Sequence, residues 1–168
     1  VGHWPPSGAG SNDYYEIYQN FFWQNQATTE TLFQGEGNLA LYENLFVNDN
    51  GAGIVIMPQN DVPKMIRIFN NTVVAKTTGV SVSGGSPLFT QEVIGNAVFA
   101  SPAINGGMQQ ANATGTYLSR GAFLVNPTGA LGTLDLYPKA GQLSGTPEPT
   151  ASISTFTNWN RDFNGIVG

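Results

Sequence analysis

IFNNTV, at residues 68–73, recurs with changes three more times in this chain, as IYQNFF at 17–22, LYENLF at 41–46 and VIGNAV at 93–98. The fourth position of each segment is asparagine, and the intervals between Asn20, Asn44, Asn71 and Asn96 are, by subtraction, 24, 27 and 25 residues. Repeats of this length, rich in short strands and turns, are typical of solenoids, whose units bury their apolar faces by stacking on one another. The sequence therefore predicts a solenoid.

The positions around each asparagine separate into apolar and polar columns. Three residues before the asparagine stand Ile17, Leu41, Ile68 and Val93, and two residues after it stand Phe22, Phe46, Val73 and Val98. Four residues before it stand Glu16, Ala40, Arg67 and Glu92. This separation indicates strands with one buried face and one face toward solvent. We expect the chain to bend at the asparagine, which tolerates a left-handed backbone and can bond neighbouring amides, so stacked asparagines would form a ladder.

Composition restricts the class of protein. Of the 168 residues, 40% are hydrophobic and only 10% charged, which is typical of a turn-rich all-β protein. The formal charge of −5 disfavours nucleic acid as a partner. Without cysteine there can be no disulfide. No apolar run reaches about 18 residues, so we expect no membrane span.

The clear repeats end near residue 104, and a Gly/Thr/Pro-rich stretch follows. We therefore predict parallel β-helix coils over residues 1–104 and a loop-rich C-terminal cap over 105–168 of the same domain. Aromatic and aliphatic residues in the second part would order it against the last coil and cover the open end of the solenoid. The chain lacks an initiator methionine and its first repeat begins almost at once, so we expect a piece of a longer solenoid, namely its C-terminal part.

Two kinds of motif carry a family resemblance. The segment at 66–74 (IRIFNNTVV), followed by GVSV at 79–82, resembles right-handed parallel β-helix proteins of the pectate-lyase-like superfamily, and the likeness covers residues 15 to about 104. The tail, with LYPKAG at 136–141 and DFNG at 162–165, resembles the closing segment of many secreted bacterial members. Lyases, hydrolases, epimerases and adhesins share these motifs, so they indicate the fold more specifically than the activity.

The resemblance implies an extracellular protein, secreted or on the cell surface, that handles polysaccharide in a groove along one parallel sheet. Family lyases use a basic residue to remove the proton beside a uronate carboxylate, often with Ca²⁺ held by acidic side chains. Candidates for the base are Lys64, Arg67 and Lys76, with Arg120 a further basic residue, and candidates for the metal ligands are Asp49 and Asp61. The alternative is that these are solvated charges, with Arg67 in a surface ion pair with Glu92.

Hydrolysis would instead need two carboxylates about 5–9.5 Å apart. Asp49 with Asp61, or Glu43 with a neighbour, could supply them, although Glu43 could equally serve turn hydrogen bonding. His3 is the only histidine, so neither a histidine metal cluster nor a Ser-His-Asp constellation has support.

Aromatic side chains offer a different kind of site. Tyr18 and Tyr42 are equivalent in successive repeats, and alternation along a strand could place both outside as a carbohydrate-binding strip. The alternative is that loops or a preceding region cover them.

The sequence is compatible with two functions. The first is lyase-like cleavage of an acidic polysaccharide by a secreted β-helix protein. The second is a non-catalytic glycan-binding or structural adhesin solenoid, whose partners are polysaccharide, an upstream part of the same solenoid, or copies of itself.

Overall fold

The computed structural model describes residue 1 and residues 7–24, 28–145 and 148–167. Its strands follow one another around successive coils in a fixed order, each coil contributing one strand to each of three sheets. In chain order the strands are β1 (Tyr15–Tyr18), β2 (Phe21–Gln24), β3 (Phe33–Gly35), β4 (Leu39–Tyr42), β5 (Leu45–Asn48), β6 (Ile54–Ile56), β7 (Ile66–Phe69), β8 (Thr72–Ala75), β9 (Val80–Val82), β10 (Gln91–Ile94), β11 (Ala97–Phe99), β12 (Ile104–Asn105), β13 (Met108–Gln110), β14 (Ala113–Gly115), β15 (Leu124–Asn126) and β16 (Asp135–Pro138).

Three parallel sheets run along the axis of the molecule. Sheet A has the order β1-β4-β7-β10-β13, sheet B the order β2-β5-β8-β11-β14, and sheet C the order β3-β6-β9-β12. In sheet A, Ile17 pairs with Leu41, Leu41 with Ile68 and Ile68 with Val93, which is the register that the repeats predict. The predicted all-β parallel β-helix of about four coils is confirmed.

The parallel sheets extend beyond residue 104, where the sequence repeats fade. Strand β13 pairs with β10, and β14 pairs with β11, so a partial fifth coil reaches Gly115. Its two inward positions are Gln109 and Thr114, which align with Val93 and Val98. Because these residues are polar and exposed, the apolar signal disappears although the backbone hydrogen bonding continues.

The lumen of the solenoid holds the largest core. Leu41, Ile68, Val93, Phe46 and Val73 are all fully buried there. They come from the two apolar columns, and Phe22 stacks on Phe46 with ring centroids 4.6 Å apart. These columns stabilise the coils only when the coils stack, because each coil alone leaves its inward face open.

The described residues after 115 pack along the sides of the solenoid. Residues 117–143, which include the antiparallel pair β15–β16, pack on the outer face of sheet B through Leu124 and Leu136. Residues 148–167 pack on the outer face of sheet A through Ile153 and Phe156. The outer faces of these two sheets carry large apolar side chains that would otherwise be exposed. Phe69, for example, points out of sheet A and is fully buried under the C-terminal segment.

The helical content of the described chain consists of a 3-10 turn at Tyr117–Ser119 and one α-helical turn, α1, at Arg120–Phe123. Neither has the length that crossing a bilayer requires.

The corner between sheets A and B contains the asparagine ladder. Backbone and side-chain N–H groups of Asn20 donate to Asn44 Oδ1, those of Asn44 to Asn71, those of Asn71 to Asn96, and those of Asn96 to Asn112. Asn112, in the partial fifth coil, is a member that the repeats did not predict. Asn44, Asn71 and Asn96 are buried, and the ladder gives the amides at their corners hydrogen-bond partners.

The left-handed residue at each corner precedes the asparagine, whereas the sequence suggested the asparagine itself. Its φ is +55° at Gln19, +54° at Glu43, +53° at Asn70, +64° at Gly95 and +53° at Ala111. This division leaves the asparagine side chain free to point back and bond the carbonyl two residues earlier, as Asn44 Nδ2 does to Tyr42 O at 2.8 Å.

Replacing Asn71 by alanine should destabilise the fold strongly. The Asn71 amide lies within 3.0 Å of Leu41 O, Phe69 O and Asn96 Oδ1, and the residue is 1% exposed. Because the substitution leaves several buried groups without partners, we expect a loss of about 3 kcal/mol or more in the free energy of unfolding, measured by urea denaturation.

The matched control is Asn20→Ala at the exposed first rung, whose side chain donates to Tyr18 O and Asn44 Oδ1. Water can replace those bonds, so we expect a loss of about 1 kcal/mol or less. Equal losses for the two variants would contradict a stabilising role for the buried ladder.

Candidate functional site

The two C-terminal segments leave an open groove between them, directly over the ladder corner. We call it the ladder groove: its floor is the corner of coils two to five, one wall is residues 134–138 and 143–145, and the other wall is formed by residues 148, 150 and 159–164. Its volume is about 1100 Å³. Coils in a parallel stack are about 4.8 Å apart, so a floor spanning three such steps is roughly 14 Å long. The shape suits an extended ligand rather than a compact one.

The left-handed corner positions supply the floor of the ladder groove. In chain order these are Glu43, Asn70, Gly95 and Ala111. Two of them, Glu43 and Asn70, carry polar side chains, and the other two, Gly95 and Ala111, carry a hydrogen atom and a methyl group. Gly95 has a steric reason: a Cβ there would lie 2.3 Å from Glu148 Oε2 and 2.7 Å from Asn70 Oδ1. The glycine thus makes room for Glu148 from the opposite segment.

Aromatic side chains contribute to both walls. Tyr137, on the β16 side, is 50% exposed, and Trp159, on the other side, is partly buried against the outer core of sheet A. The walls meet where Asn164 Nδ2 donates to the Tyr137 hydroxyl. Gln19 Nε2 donates to Asp162 O nearby, which attaches this end of the wall to the first coil. The hydrogen bond between Asn164 and Tyr137 therefore connects the two walls at the end of the groove nearest the first coil.

Glu43 is the most perturbed acid of the groove. It is 1% exposed; its Oε1 accepts a hydrogen bond from the backbone N–H of Arg161 at 3.2 Å, and its Oε2 has no hydrogen-bond partner among the described residues. Burial, above all, raises the pKa of Glu43 to about 7, and the charges of Asp162 and Glu148 add to the rise, while the Arg161 N–H bond and charge oppose it. Glu43 consequently titrates near neutral pH.

Glu148 approaches the floor from the wall that covers sheet A. Its Oε1 accepts a hydrogen bond from Asn70 Nδ2 at 3.3 Å, and its Oε2 has no partner among the described residues. Burial raises the pKa of Glu148, and the Asn70 hydrogen bond opposes that rise. Two carboxyl groups with uncompensated oxygens thus line one groove.

The candidate bases for lyase chemistry lie elsewhere, and none of the three lines the ladder groove. Lys64 Nζ is 3.5 Å from Asp61 Oδ2, and Lys76 Nζ lies 4.8 Å from the Tyr117 ring centre. Arg67 Nε is 2.9 Å from Glu92 Oε2, which confirms the predicted ion pair. The pair is buried rather than on the surface, with Arg67 8% exposed, because the chain covers the outer face of sheet A.

The two candidate metal ligands also lie apart. Asp49 follows β5 and accepts a hydrogen bond from the Tyr117 hydroxyl at 2.6 Å, whereas Asp61 lies in the loop after β6 and pairs with Lys64. In the portion of the chain that the structure describes, no three His, Cys, Asp or Glu residues form a group that could hold a metal ion. His3 falls outside that portion.

Tyr18 and Tyr42 stack with their ring centres 5.0 Å apart, as equivalent positions should. They do not form an external strip, because Tyr42 is 0% exposed beneath Phe156 and its hydroxyl lies 2.8 Å from Thr157 O. The alternative that other parts of the chain cover these rings is the one the structure supports. The cover comes from the C-terminal segment.

Sequence reasoning named Glu43 as one carboxylate in need of a neighbour, but it did not identify Glu148 as that neighbour or Trp159 as a wall residue, and it expected a groove along one sheet rather than over the ladder corner. Glu148 follows Glu43 by more than a hundred residues, and no repeat includes it. The available signal was the column directly before each asparagine, Gln19-Glu43-Asn70-Gly95, in which a glycine interrupts a polar series.

No family model matches this chain, and no curated protein or solved structure matches it at a significant level. The parallel β-helix architecture itself agrees with the resemblance described above, while membership of the pectate-lyase-like superfamily remains a hypothesis.

Glu43→Gln should remove a pH-dependent component of stability. The pKa of Glu43 is about 7 in the folded protein, against 4.5 for an unperturbed glutamate. Its contribution to the free energy of unfolding is therefore complete below pH 4.5 and is lost as the pH rises through 7. Between pH 4.5 and about 8 we expect the free energy of unfolding of the wild type to fall by about 1–3 kcal/mol relative to Glu43→Gln, measured by urea denaturation.

The control is Glu30→Gln, which alters an exposed carboxylate outside the groove. Its stability should follow the wild type across the same pH range. A constant difference between wild type and Glu43→Gln would show that folding does not shift the pKa of Glu43.

Proposed function

We propose that the ladder groove binds an extended glycan chain without cleaving it. The observation that carries this proposal is an open groove of about 1100 Å³, about 14 Å long at its floor, that combines amides with the exposed ring of Tyr137. Amides and hydroxyls can bond the sugar hydroxyls, and an aromatic ring can pack against the apolar face of a sugar. A rigid floor built from stacked coils would hold these groups in place without an ordering cost on binding.

The charge of the groove supports a ligand that is not acidic. Its described lining contains the carboxylates of Glu43, Asp135, Glu148 and Asp162 against the single guanidinium of Arg161. With a formal charge of −5 on the whole chain, a polyanionic glycan would be repelled. An extracellular location and contact with an upstream part of the solenoid stay predictions.

Lyase-like cleavage of an acidic polysaccharide is the alternative, and it has less support. Its candidate bases Lys64, Arg67 and Lys76 lie outside the groove, each beside a partner of its own. Incubation with uronate polymers, with and without Ca²⁺, should therefore give no rise in ultraviolet absorbance from unsaturated products. A rise that Lys64→Ala or Lys76→Ala abolishes would favour the lyase.

Tyr137→Ala should weaken glycan binding. Removal of a half-exposed ring from the groove wall deletes apolar area that a sugar would cover, worth about 1–2 kcal/mol or roughly 5–30-fold in Kd. Isothermal titration calorimetry with neutral oligosaccharides of several linkages would measure it on the whole chain.

Phe89→Ala is the matched control, because Phe89 is 36% exposed in the loop before β10, away from the groove. It should leave Kd unchanged. If no oligosaccharide binds, or if Phe89→Ala weakens binding as much as Tyr137→Ala, the ladder groove is not a glycan site.

A further inference from the structure

We infer that the ladder groove selects a glycan that carries protonated amines, such as a β-linked oligomer of glucosamine. This inference rests on the proposed function and names the ligand class for the same groove. The described lining of the groove holds four carboxyl groups and one guanidinium, so carboxyl groups are in excess. An excess of one sign in a cleft raises the local concentration of ligands with the opposite sign.

The one guanidinium of the described lining offsets only part of this excess. Arg161 donates its backbone N–H to Glu43, and its guanidinium acts on Glu43 only through its charge, since Nη1 donates to Gly165 O at 2.6 Å. Glu148 receives a neutral amide hydrogen bond from Asn70. Neither Glu43 nor Glu148 has a salt bridge to any described residue. Elsewhere in the molecule a buried acid is paired, as Glu92 is with Arg67 at 2.9 Å.

Two carboxyl oxygens in the groove lack a hydrogen-bond donor among the described residues. Glu43 is 1% exposed at the base of the groove, and its Oε2 and that of Glu148 are buried without hydrogen-bond partners among the described residues. A buried acceptor of this kind costs free energy that a donor would recover. The hydroxyls of a neutral sugar could supply a hydrogen bond, but only a cation would also offset the negative charge when the carboxyls ionise.

The remaining acids of the groove have other duties. Asp162 Oδ1 accepts the backbone N–H groups of Asn164 and Ile166, and Asp135 Oδ1 accepts that of Tyr137. They shape the walls and add to the negative field. Glu43 and Glu148 are therefore the residues on which selection for an amine should depend.

The experiment compares two ligands of equal length, a glucosamine tetramer and its fully N-acetylated counterpart, by calorimetry on the intact chain at about pH 7, where about half of the Glu43 carboxyl groups are ionised before a ligand binds. We expect the amine form to bind about tenfold more tightly, which corresponds to about 1.4 kcal/mol. Raising the ionic strength to about 1 M should bring the two Kd values together, because salt screens the charge term. This comparison needs no substitution and so does not depend on a variant folding.

The double variant Glu43→Gln/Glu148→Gln provides the second measurement. It should bind the amine form as weakly as it binds the N-acetylated form, so the preference of the wild type for the amine should disappear. Glu30→Gln, an exposed acid outside the groove, should keep the full preference.

Equal wild-type affinity for the two tetramers, or a preference that the double variant retains, would overturn the inference while leaving glycan binding intact. Absence of binding to either tetramer and to the neutral oligosaccharides would overturn the proposed function as well. The two failures are therefore distinguishable.

Discussion

The hydrogen-bonded asparagine ladder is the interaction on which the rest of this structure depends. Each rung joins the backbone of one coil to the side chain of the next, from Asn20 to Asn112. Rungs can form only if every coil turns at the same place, so the ladder fixes the register of sheets A and B together. Fixed register in turn keeps the apolar columns inside the lumen, because a shift of one residue would expose them.

A parallel solenoid with two apolar outer faces needs a cover, and in this chain the C-terminal third provides it. Ile153 and Phe156 shield sheet A, while Leu124 and Leu136 shield sheet B. Both covers approach the same corner, but the corner itself is polar and left-handed, so neither can close over it. The groove is the space left over the polar corner, between the segment packed on sheet A and the segment packed on sheet B.

The position of the groove explains its chemistry. The corner residue that must be left-handed points its side chain outward, which is why Glu43 and Asn70 lie on the floor while the ladder asparagines point back toward the backbone. The segment that covers sheet A also contacts the Glu43 carboxyl, whose pKa is raised by burial and lowered less by the Arg161 charge and N–H bond. The packing of the two C-terminal segments on sheets A and B thus both covers those sheets and forms the walls of the groove.

The amino-acid sequence by itself determined the coils. The spacing of the asparagines and the alternation of columns such as Ile17-Leu41-Ile68-Val93 act locally and in neighbouring coils, so they predict strands, register and lumen. Only the tertiary structure decided the fifth coil, where Gln109 and Thr114 hide the pattern, and the path of the segments after residue 115, which bring Glu148 to Gly95 and Phe156 over Tyr42. Those contacts join residues without a shared period, because a covering segment is positioned by shape and apolar area rather than by repetition.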